Sequence, residues 1–344
     1  MIRVQVASYQ AVSILHGGPS TQLGKTIQNM DQCGVDARKF DSWSPFSQHT
    51  CDLFHLFAAN LGTYHLAREI HILGIPLVVS PIIYSLHSHR YVRAMLGVTR
   101  TLRIFGKGLW SDYGMTSEIC SWAQRVLPNS RAEADLVING LGVDASKVTV
   151  IPNGVEERFY IADPGLFKEK YGVENFVLNV GHVGHGRKNV LSLIRALGTI
   201  DHPAVIIGRI MEGEYGAACV REAAKHKHIL LIDGLSHDSE MLASAYAAAD
   251  VFVLPSLFET PGIAALEAGL AGAKVVITPH GGTKEYFGDM AQYVDPHSVE
   301  SIKQGITRSL ELPKEIRLRE HIRREYLWPR ISEKTATVYK DLLR

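Results

Sequence analysis

Cysteine is scarce and scattered. Cys33, Cys51, Cys120 and Cys219 form no C-x-x-C pair and no metal-ligand spacing, which excludes a disulfide framework and fits reduced, buried thiols in a cytosolic protein. An excess of either charge is also missing. Lysines and arginines number 36 against 35 aspartates and glutamates, so no whole-molecule field points to nucleic acid. Long apolar runs are lacking. The longest, residues 73–84, is broken by Gly74, Pro76, Ser80 and Pro81 and is too short to span a bilayer. The opening MIRVQVASYQAVSIL lacks the charged-then-apolar pattern of an export signal, and no period of roughly 20 to 50 residues recurs, which argues against a solenoid. What is present is an ordinary globular composition, 46% apolar and 21% charged, in 344 residues. That length exceeds what one core usually supports, so two domains are expected.

Short β-branched runs alternate with amphipathic stretches. Strands are expected at residues 3–7, 77–80, 136–139, 148–151, 176–180, 204–207, 229–232, 251–254 and 275–278, with helical patterns such as 21–33, 191–197 and 241–248 between them. This alternation marks the α/β class with doubly wound parallel sheets. The pattern runs twice. VTVIPNGVEERFYIADPGLFKEKYG closes one series, and NFVLNVGHVGHGRKNVLSLIRAL opens a second with strand, glycine-rich turn and helix. The linker is expected near residues 153–170, and such sheets bind ligands at the carboxyl ends of their strands.

In LFETPGIAALEAGLAGAKVVIT, residues 257–278, Glu259 and Glu267 have seven residues between them, and from Pro261 to Ala273 only Glu267 has a polar side chain. Thr260, Pro261 and Gly262 read as a helix start, with threonine to cap the free amides, proline at the first helical position and glycine leaving room for an anion at the positive end. Gly272 is placed to end the helix. A buried, unpaired carboxylate is costly, so Glu267 needs donors. A neighbouring arginine or backbone amide is the simpler source for this residue taken alone. The sharper alternative is the two hydroxyls of a ribose whose diphosphate rests at Gly262. If both glutamates were helical they would lie about 12 Å apart along the axis. Glycosidase carboxylates sit about 5 to 9.5 Å apart, so the spacing suits two ends of one long ligand better.

The segment FETPGIAALEAGLAGAKVVIT resembles the E-x7-E region of the retaining glycosyltransferases of family four, which have the two-domain GT-B fold. Further matches follow in order. HGGPSTQLGKTIQNMDQCGVDARKFD resembles the family's first glycine-rich loop and helix, and VLPNSRAEADLVINGLGVDASKVTVIPNGVEERF resembles the close of its N-domain. VGHVGHGRKNVLSLIRAL resembles the opening of the C-domain, YAAADVFVLPSLFET the approach to the glutamates, and WPRISEKTATVYKDLL the closing helix that returns to the N-domain. The match covers most of the chain and is weakest at residues 40–125. It implies two Rossmann-like doubly wound domains facing across a cleft: an acceptor-binding one at residues 1–158, a nucleotide-sugar-binding one at 159–325, and a returning helix at 326–344.

The resemblance implies transfer of a hexose-type sugar from a nucleotide-diphosphate sugar to a glycan or lipid-linked acceptor, with retention and with no metal or cofactor. Glu267 would bind the ribose, Glu259 the hydroxyls of the donor sugar, and the backbone at Thr260, Pro261, Gly262 and Ile263 would cap the diphosphate. Lys188 matches the family lysine that neutralises the phosphates, and Arg187 shares that work, each plausibly worth about 3 kcal/mol or more. Cations at a helix start oppose its dipole, so an anionic partner accounts for this pair better than solvent does. Gly17 and Gly18 would let the N-domain loop approach the donor, with an ordinary tight turn as the alternative, and His16 beside them is a candidate contact. Two departures stand out. Gly181-His182 stands where the family usually has Gly-Arg, so the phosphate arginine is absent or moved to Arg187, with His182 in its place. Pro81-Ile82-Ile83 stands where an N-domain histidine is expected, which leaves His87 and His89 as the nearby substitutes. No D-x-D occurs, so the aspartate pair that holds a divalent ion in the other glycosyltransferase fold is missing. No carboxylate stands out as a nucleophile, which leaves same-face substitution as the preferred mechanism.

Arg90, Arg93, Arg100, Arg103 and Lys107 gather on one helical face, with Val92, Met95, Leu96, Leu102, Phe105 and Leu109 forming much of the other. A basic amphipathic helix over residues 89–107 fits peripheral contact with anionic lipid at the inner face of the membrane, or an anionic lipid-linked acceptor. An ordinary surface helix is the slightly favoured alternative. The expected setting is cytoplasmic, in polysaccharide or glycolipid assembly. Two rival functions are a GT-B nucleotide-sugar epimerase and a non-catalytic sugar-binding protein, and the second would have no need of Lys188 beside a glycine-permissive helix start. A nicotinamide dehydrogenase is disfavoured, because GHVGHG has the wrong glycine spacing for the dinucleotide fingerprint.

Overall fold

A computed structural model of the chain describes residues 1–14, 17–105 and 111–344, without side chains at 100 and 103–105. The chain divides into two compact units, Met1–Gly154 with Trp328–Arg344, and Val155–Leu327. No helix among the described residues is long and apolar enough to cross a membrane.

The first unit runs β1 (Ile2–Ala7), α1 (Gly18–Met30), β2 (Val35–Lys39), β3 (Leu53–Phe57), α2 (Leu61–Ile72), β4 (Leu77–Ser80), α3 (His89–Phe105), α4 (Asp112–Trp122), β5 (Arg125–Val126) and α5 (Arg131–Asp135). Its strands are all parallel, in the order β2-β1-β3-β4-β5. Every residue of β3 and β4 is buried, because helices cover both faces of a parallel sheet. The closing helix Trp328–Leu342 lays Trp328, Ile331 and Tyr339 into the same core as Val4 and Leu23. Buried His55 of β3 bonds the Tyr339 hydroxyl at 2.5 Å and Ser80 Oγ at 3.0 Å. Burial lowers its pKa to about 3, so it stays neutral.

Two expected strands are not strands. Residues 136–139 lie in a π-helical turn, Leu136–Gly140, that continues α5, and Val148 meets Val126 in a single bridge only. A short buried apolar run satisfies either geometry. Here the carbonyls of Leu136 and Ile138 find the amides of Leu141 and Gly142 at 2.9 and 3.2 Å within the turn itself, which leaves none for a ladder. The polar β2, VDARK, the tiny β5 and the buried central β3, LFHLF, were not among the expected strands, yet all three pair.

At the carboxyl end of this sheet, buried Glu133 of α5 ties two loops together. Its carboxylate accepts from the amides of Ile83 and Asn129 at 2.8 and 2.7 Å, and Ile82 beside them has the left-handed φ of 52°. Burial raises this carboxyl to about 7 against the pull of those amides.

The second unit runs α6 (Gly165–Tyr171), β6 (Phe176–Val180), α7 (Val190–Leu197), β7 (Ala204–Ile207), α8 (Glu214–Ala223), β8 (Ile229–Ile232), α9 (Glu240–Ala248), β9 (Ala249–Leu254), α10 (Ile263–Ala271), β10 (Lys274–Ile277), α11 (Thr283–Phe287), β11 (Gln292–Tyr293), α12 (Val299–Glu311) and α13 (Ile316–Glu325). Its parallel order is β11-β10-β9-β6-β7-β8. The sheet grows from β6 through β7 to β8, then restarts at β9 on the other side of β6. At that reversal the helices that follow β6 and β9 pack on opposite faces of the sheet, and a doubly wound sheet opens there for a ligand. Both units are thus Rossmann-like.

Candidate functional site

The loops after β6 and β9 carry the residues singled out above. Backbone joins them first, because Leu257 N–H donates to the Arg187 carbonyl at 2.9 Å. Asn189, in the left-handed region at φ 55°, uses its amide to bridge the carbonyls of Pro255 and Pro296 at 3.1 and 2.6 Å. Arg187 and Lys188 lie on the short turn Gly186–Lys188 ahead of α7, and not on the helix itself. Lys188 Nζ donates to Glu259 Oε1 at 2.6 Å, and Arg187 Nη1 reaches the same oxygen at 3.4 Å and the Phe258 carbonyl at 3.0 Å. Burial works to raise the Glu259 carboxyl, but Lys188 and Arg187 outweigh it and hold the group below the usual carboxylate range. Two cations therefore share one carboxylate, which leaves this corner net positive. His185 reports that field. Burial lowers its pKa first, and Arg187, Lys188 and His182 lower it further. Its side chain accepts the Arg187 N–H at 3.3 Å.

The start of α10 differs from the expectation. Thr260 does not cap it and Pro261 is not its first residue. The helix begins at Ile263, with Gly262 as N-cap at φ 86° and no side-chain cap. Thr260 Oγ1 is buried with no partner among the described residues. Glu259 is pinned beforehand, its N–H on the His280 carbonyl at 3.1 Å and its own carbonyl accepting from Gly282 at 3.0 Å, so the chain turns away before it can become helical. Only the amides of Ala265 and Leu266 return to the Gly262 carbonyl, at 2.9 and 3.3 Å. The amides of Gly262, Ile263 and Ala264 meet no acceptor among the described residues. This is a helix end with its positive charge open. Gly272, at φ 101°, ends the helix as expected.

Glu267 is only 4% exposed and has two protein partners. Tyr246 of α9 donates to Oε2 at 2.8 Å and His237, in the loop after β8, meets Oε1 at 2.7 Å. The partner expected from within the protein was an arginine or an amide, and the structure supplies a histidine and a tyrosine instead. Neither was singled out in the sequence. Tyr246 lies inside the quoted YAAAD stretch, whereas His237 carries no local signal.

The remaining candidates lie in the first unit. His16 lies outside the described residues. Gly17 caps α1 with an extended backbone that any residue adopts, its N–H on Ser20 Oγ at 3.0 Å, and Gly18 is the first helical residue. His87 is exposed, stacks on Tyr91 with ring centroids 4.4 Å apart and bonds the Tyr113 hydroxyl at 3.1 Å. His89 pairs with Asp135 at 2.6 Å. On α3, Val92 and Leu96 are buried, whereas Tyr91, Val98 and Leu102 are exposed. Leu102 thus departs from the buried face assigned to it and joins an outward apolar stripe; Arg90 and Arg93 are exposed as well. Lys107 and Leu109 fall outside the described residues, as do the side chains of Arg100, Arg103 and Phe105.

Comparison with known proteins finds two family models in tandem: Glycosyltransferase Family 4 over residues 37–159 and Glycosyl transferases group 1 over residues 167–325. An uncharacterized glycosyltransferase of Methanocaldococcus jannaschii is 30% identical over 68% of this chain and 65% of its own length. An MMP alpha-(1->4)-mannosyltransferase of Mycolicibacterium hassiacum is 24% identical over 67% and 57%. The chain thus matches a little over half to just under two thirds of these relatives. Among solved structures, sucrose-phosphate synthase from Thermosynechococcus elongatus superposes with a TM-score of 0.76 at 16% identity, covering 99% of both chains. Anabaena HepE in complex with UDP-glucose superposes with a TM-score of 0.70 at 17% identity, covering 99% of this chain and 100% of its own.

Proposed function

Because the chain belongs to the family-four, group 1 glycosyltransferases, we propose that it moves a hexose-type sugar from a nucleotide-diphosphate sugar to a glycan or lipid-linked acceptor, with retention. The observation that carries this reading is the open start of α10, where three amides lack acceptors among the described residues, beside Lys188 and Arg187. A diphosphate fits both the amides and the cations. Glu267 then serves the ribose, and Glu259, once the diphosphate draws Lys188 and Arg187 from it, serves the hydroxyls of the donor sugar. The mannosyltransferase relative and the UDP-glucose complex of the structural neighbour support a hexose and a nucleotide-sugar donor.

The bond from the sugar's anomeric carbon to the leaving phosphate oxygen breaks as the acceptor oxygen bonds to that carbon on the same face. The acceptor's proton passes to the leaving phosphate. Lys188, Arg187 and the α10 amides take the charge that a divalent ion carries elsewhere. Thermal-shift measurements with UDP, GDP and ADP test the donor half. At about 100 times its Kd, the matching nucleotide stabilises the protein by about 2.7 kcal/mol. If none of the three raises the melting temperature, the nucleotide site is refuted. A nucleotide-sugar panel separates the epimerase alternative, which would return an altered sugar still attached to its nucleotide.

For the acceptor side, the exposed stripe of Tyr91, Val98 and Leu102, with the exposed Arg90 and Arg93 on the same helix, suits peripheral docking on anionic lipid at the cytoplasmic face. The wild type should sediment with anionic liposomes and come off in salt, and Arg90→Glu with Arg93→Glu should stay in the supernatant. Equal, salt-independent recovery of both proteins in the supernatant removes the membrane contact.

A further inference from the structure

His237 sits over the one acidic residue of α10. The Glu267 side chain is 5% exposed and that of His237 is 38% exposed, so the imidazole separates the carboxylate from solvent. The two oxygens of Glu267 are not held alike. Oε2 takes the hydroxyl of Tyr246, a fully buried residue of α9, which cannot leave without opening the core. Oε1 takes Nε2 of a half-exposed loop residue. A carboxylate that is to accept two ribose hydroxyls needs an approach path, and of its two partners only His237 is free to rotate out to solvent.

From this geometry we infer that His237 caps Glu267 in the free protein, and that the nucleoside hydroxyls displace its imidazole when the donor binds. The inference rests on the ribose assignment above and adds a residue to it. Tyr246 stays in place and orients the carboxylate, so the sugar replaces one partner and keeps the other. His237 Nε2 is within hydrogen-bond distance of Oε1, and a ligand hydroxyl takes over that contact without leaving the carboxylate bare.

The exchange moves a proton. The charged groups facing His237 are Glu267 from α10, Asp238 in its own loop with an oxygen 3.4 Å from Nδ1, and Glu156, one of whose oxygens lies within 4.8 Å of the ring nitrogen that offers a ligand. Arg158 opposes them, bonded to Glu156 at 3.2 Å and to the His237 carbonyl at 2.5 Å. The hydrogen bond to Glu267 raises the His237 pKa above its ordinary value, burial opposes the rise, and Arg158 also opposes it. A displaced imidazole loses the largest raising cause. Its pKa falls, a proton leaves, and donor affinity therefore increases with pH between the displaced and the capped values.

The test is calorimetric titration with UDP-glucose and with GDP-mannose, diesters whose phosphates do not titrate near neutrality, from pH 6 to pH 8 in buffers of different ionisation enthalpy. The wild type should release protons on binding and bind more tightly as pH rises, with a slope of at most tenfold per pH unit for one proton. His237→Gln should bind with a flat profile, and His237→Ala should bind at pH 6 at least as tightly as the wild type. Identical pH profiles in wild type and His237→Gln overturn the inference. So does a loss of affinity in His237→Ala at both ends of the range, since the imidazole would then be supporting the bound state. Unchanged affinity in Glu267→Ala would instead remove the ribose assignment beneath it, which keeps the two failures apart.

Discussion

Lys188→Ala is expected to lower turnover about 100- to 1,000-fold, the usual cost of removing one group that stabilises developing charge. The same substitution leaves Glu259, whose side chain is 4% exposed, with Arg187 at 3.4 Å as its remaining ion-pair partner. Breaking a buried pair costs about 3–5 kcal/mol. Lys188 is 19% exposed, which puts the cost near the lower end. A loss of activity alone is therefore ambiguous between chemistry and folding. The double variant Lys188→Met with Glu259→Gln separates them, because it removes both charges and leaves no bare carboxylate. Its thermal stability should recover most of what the single variant lost, while turnover stays low. Glu259→Gln alone is the reference for turnover: if the double variant turns over as fast as that single variant, Lys188 serves only to neutralise Glu259 and the phosphate role is wrong.

Glu267→Ala is expected to weaken nucleotide binding about 100-fold or more, from the loss of two charge-assisted hydrogen bonds worth about 1.5–3 kcal/mol each. Glu259→Ala should mainly lower turnover and leave nucleotide affinity close to that of the wild type. The alanine at 267 also strands the buried Tyr246 hydroxyl, which loses its 2.8 Å acceptor. Glu267→Gln keeps a carbonyl for that hydroxyl and so tests affinity with the helix packing preserved. Titration of each variant with the nucleotide that most raises the wild-type melting temperature decides the matter. Unchanged affinity in Glu267→Ala and Glu267→Gln would show that the carboxylate belongs to the fold alone.

The residues differ in how far they could be read in advance. Strands such as Ile2–Ala7, Phe176–Val180 and Ala204–Ile207 were legible because a β-branched run bounded by turn residues has few other uses. Residues 136–139 were misread for the opposite reason, since so short a run, buried at Leu136 and Val137 but exposed at Asn139, has no period to reveal. At the helix start, composition announced a glycine-permissive turn, and Gly262 stands there as the N-cap at φ 86°. The boundary shifted because the Glu259 backbone is bonded to the His280–Gly282 turn, a contact across 21 residues that no local window contains. On α3, spacing arranged the arginines on one face, yet it assigned Leu102 to the buried side. Which side of a helix is covered depends on what packs there.

Local composition was enough to determine two parallel sheets, a glycine-permissive turn before an almost wholly apolar helix, and a single acid within that helix. Propensity and periodicity act between near neighbours, and those features need nothing else. The tertiary structure alone decided which charges meet. Lys188 and Glu259 are 71 residues apart, and they touch because the sheet restarts beside β6 and brings the loops after β6 and β9 together. His237 and Glu267 are 30 residues apart, and they touch because the loop after β8 passes over α10. Such pairings depend on the order in which strands become neighbours, a global property that a stretch of sequence read by itself does not contain.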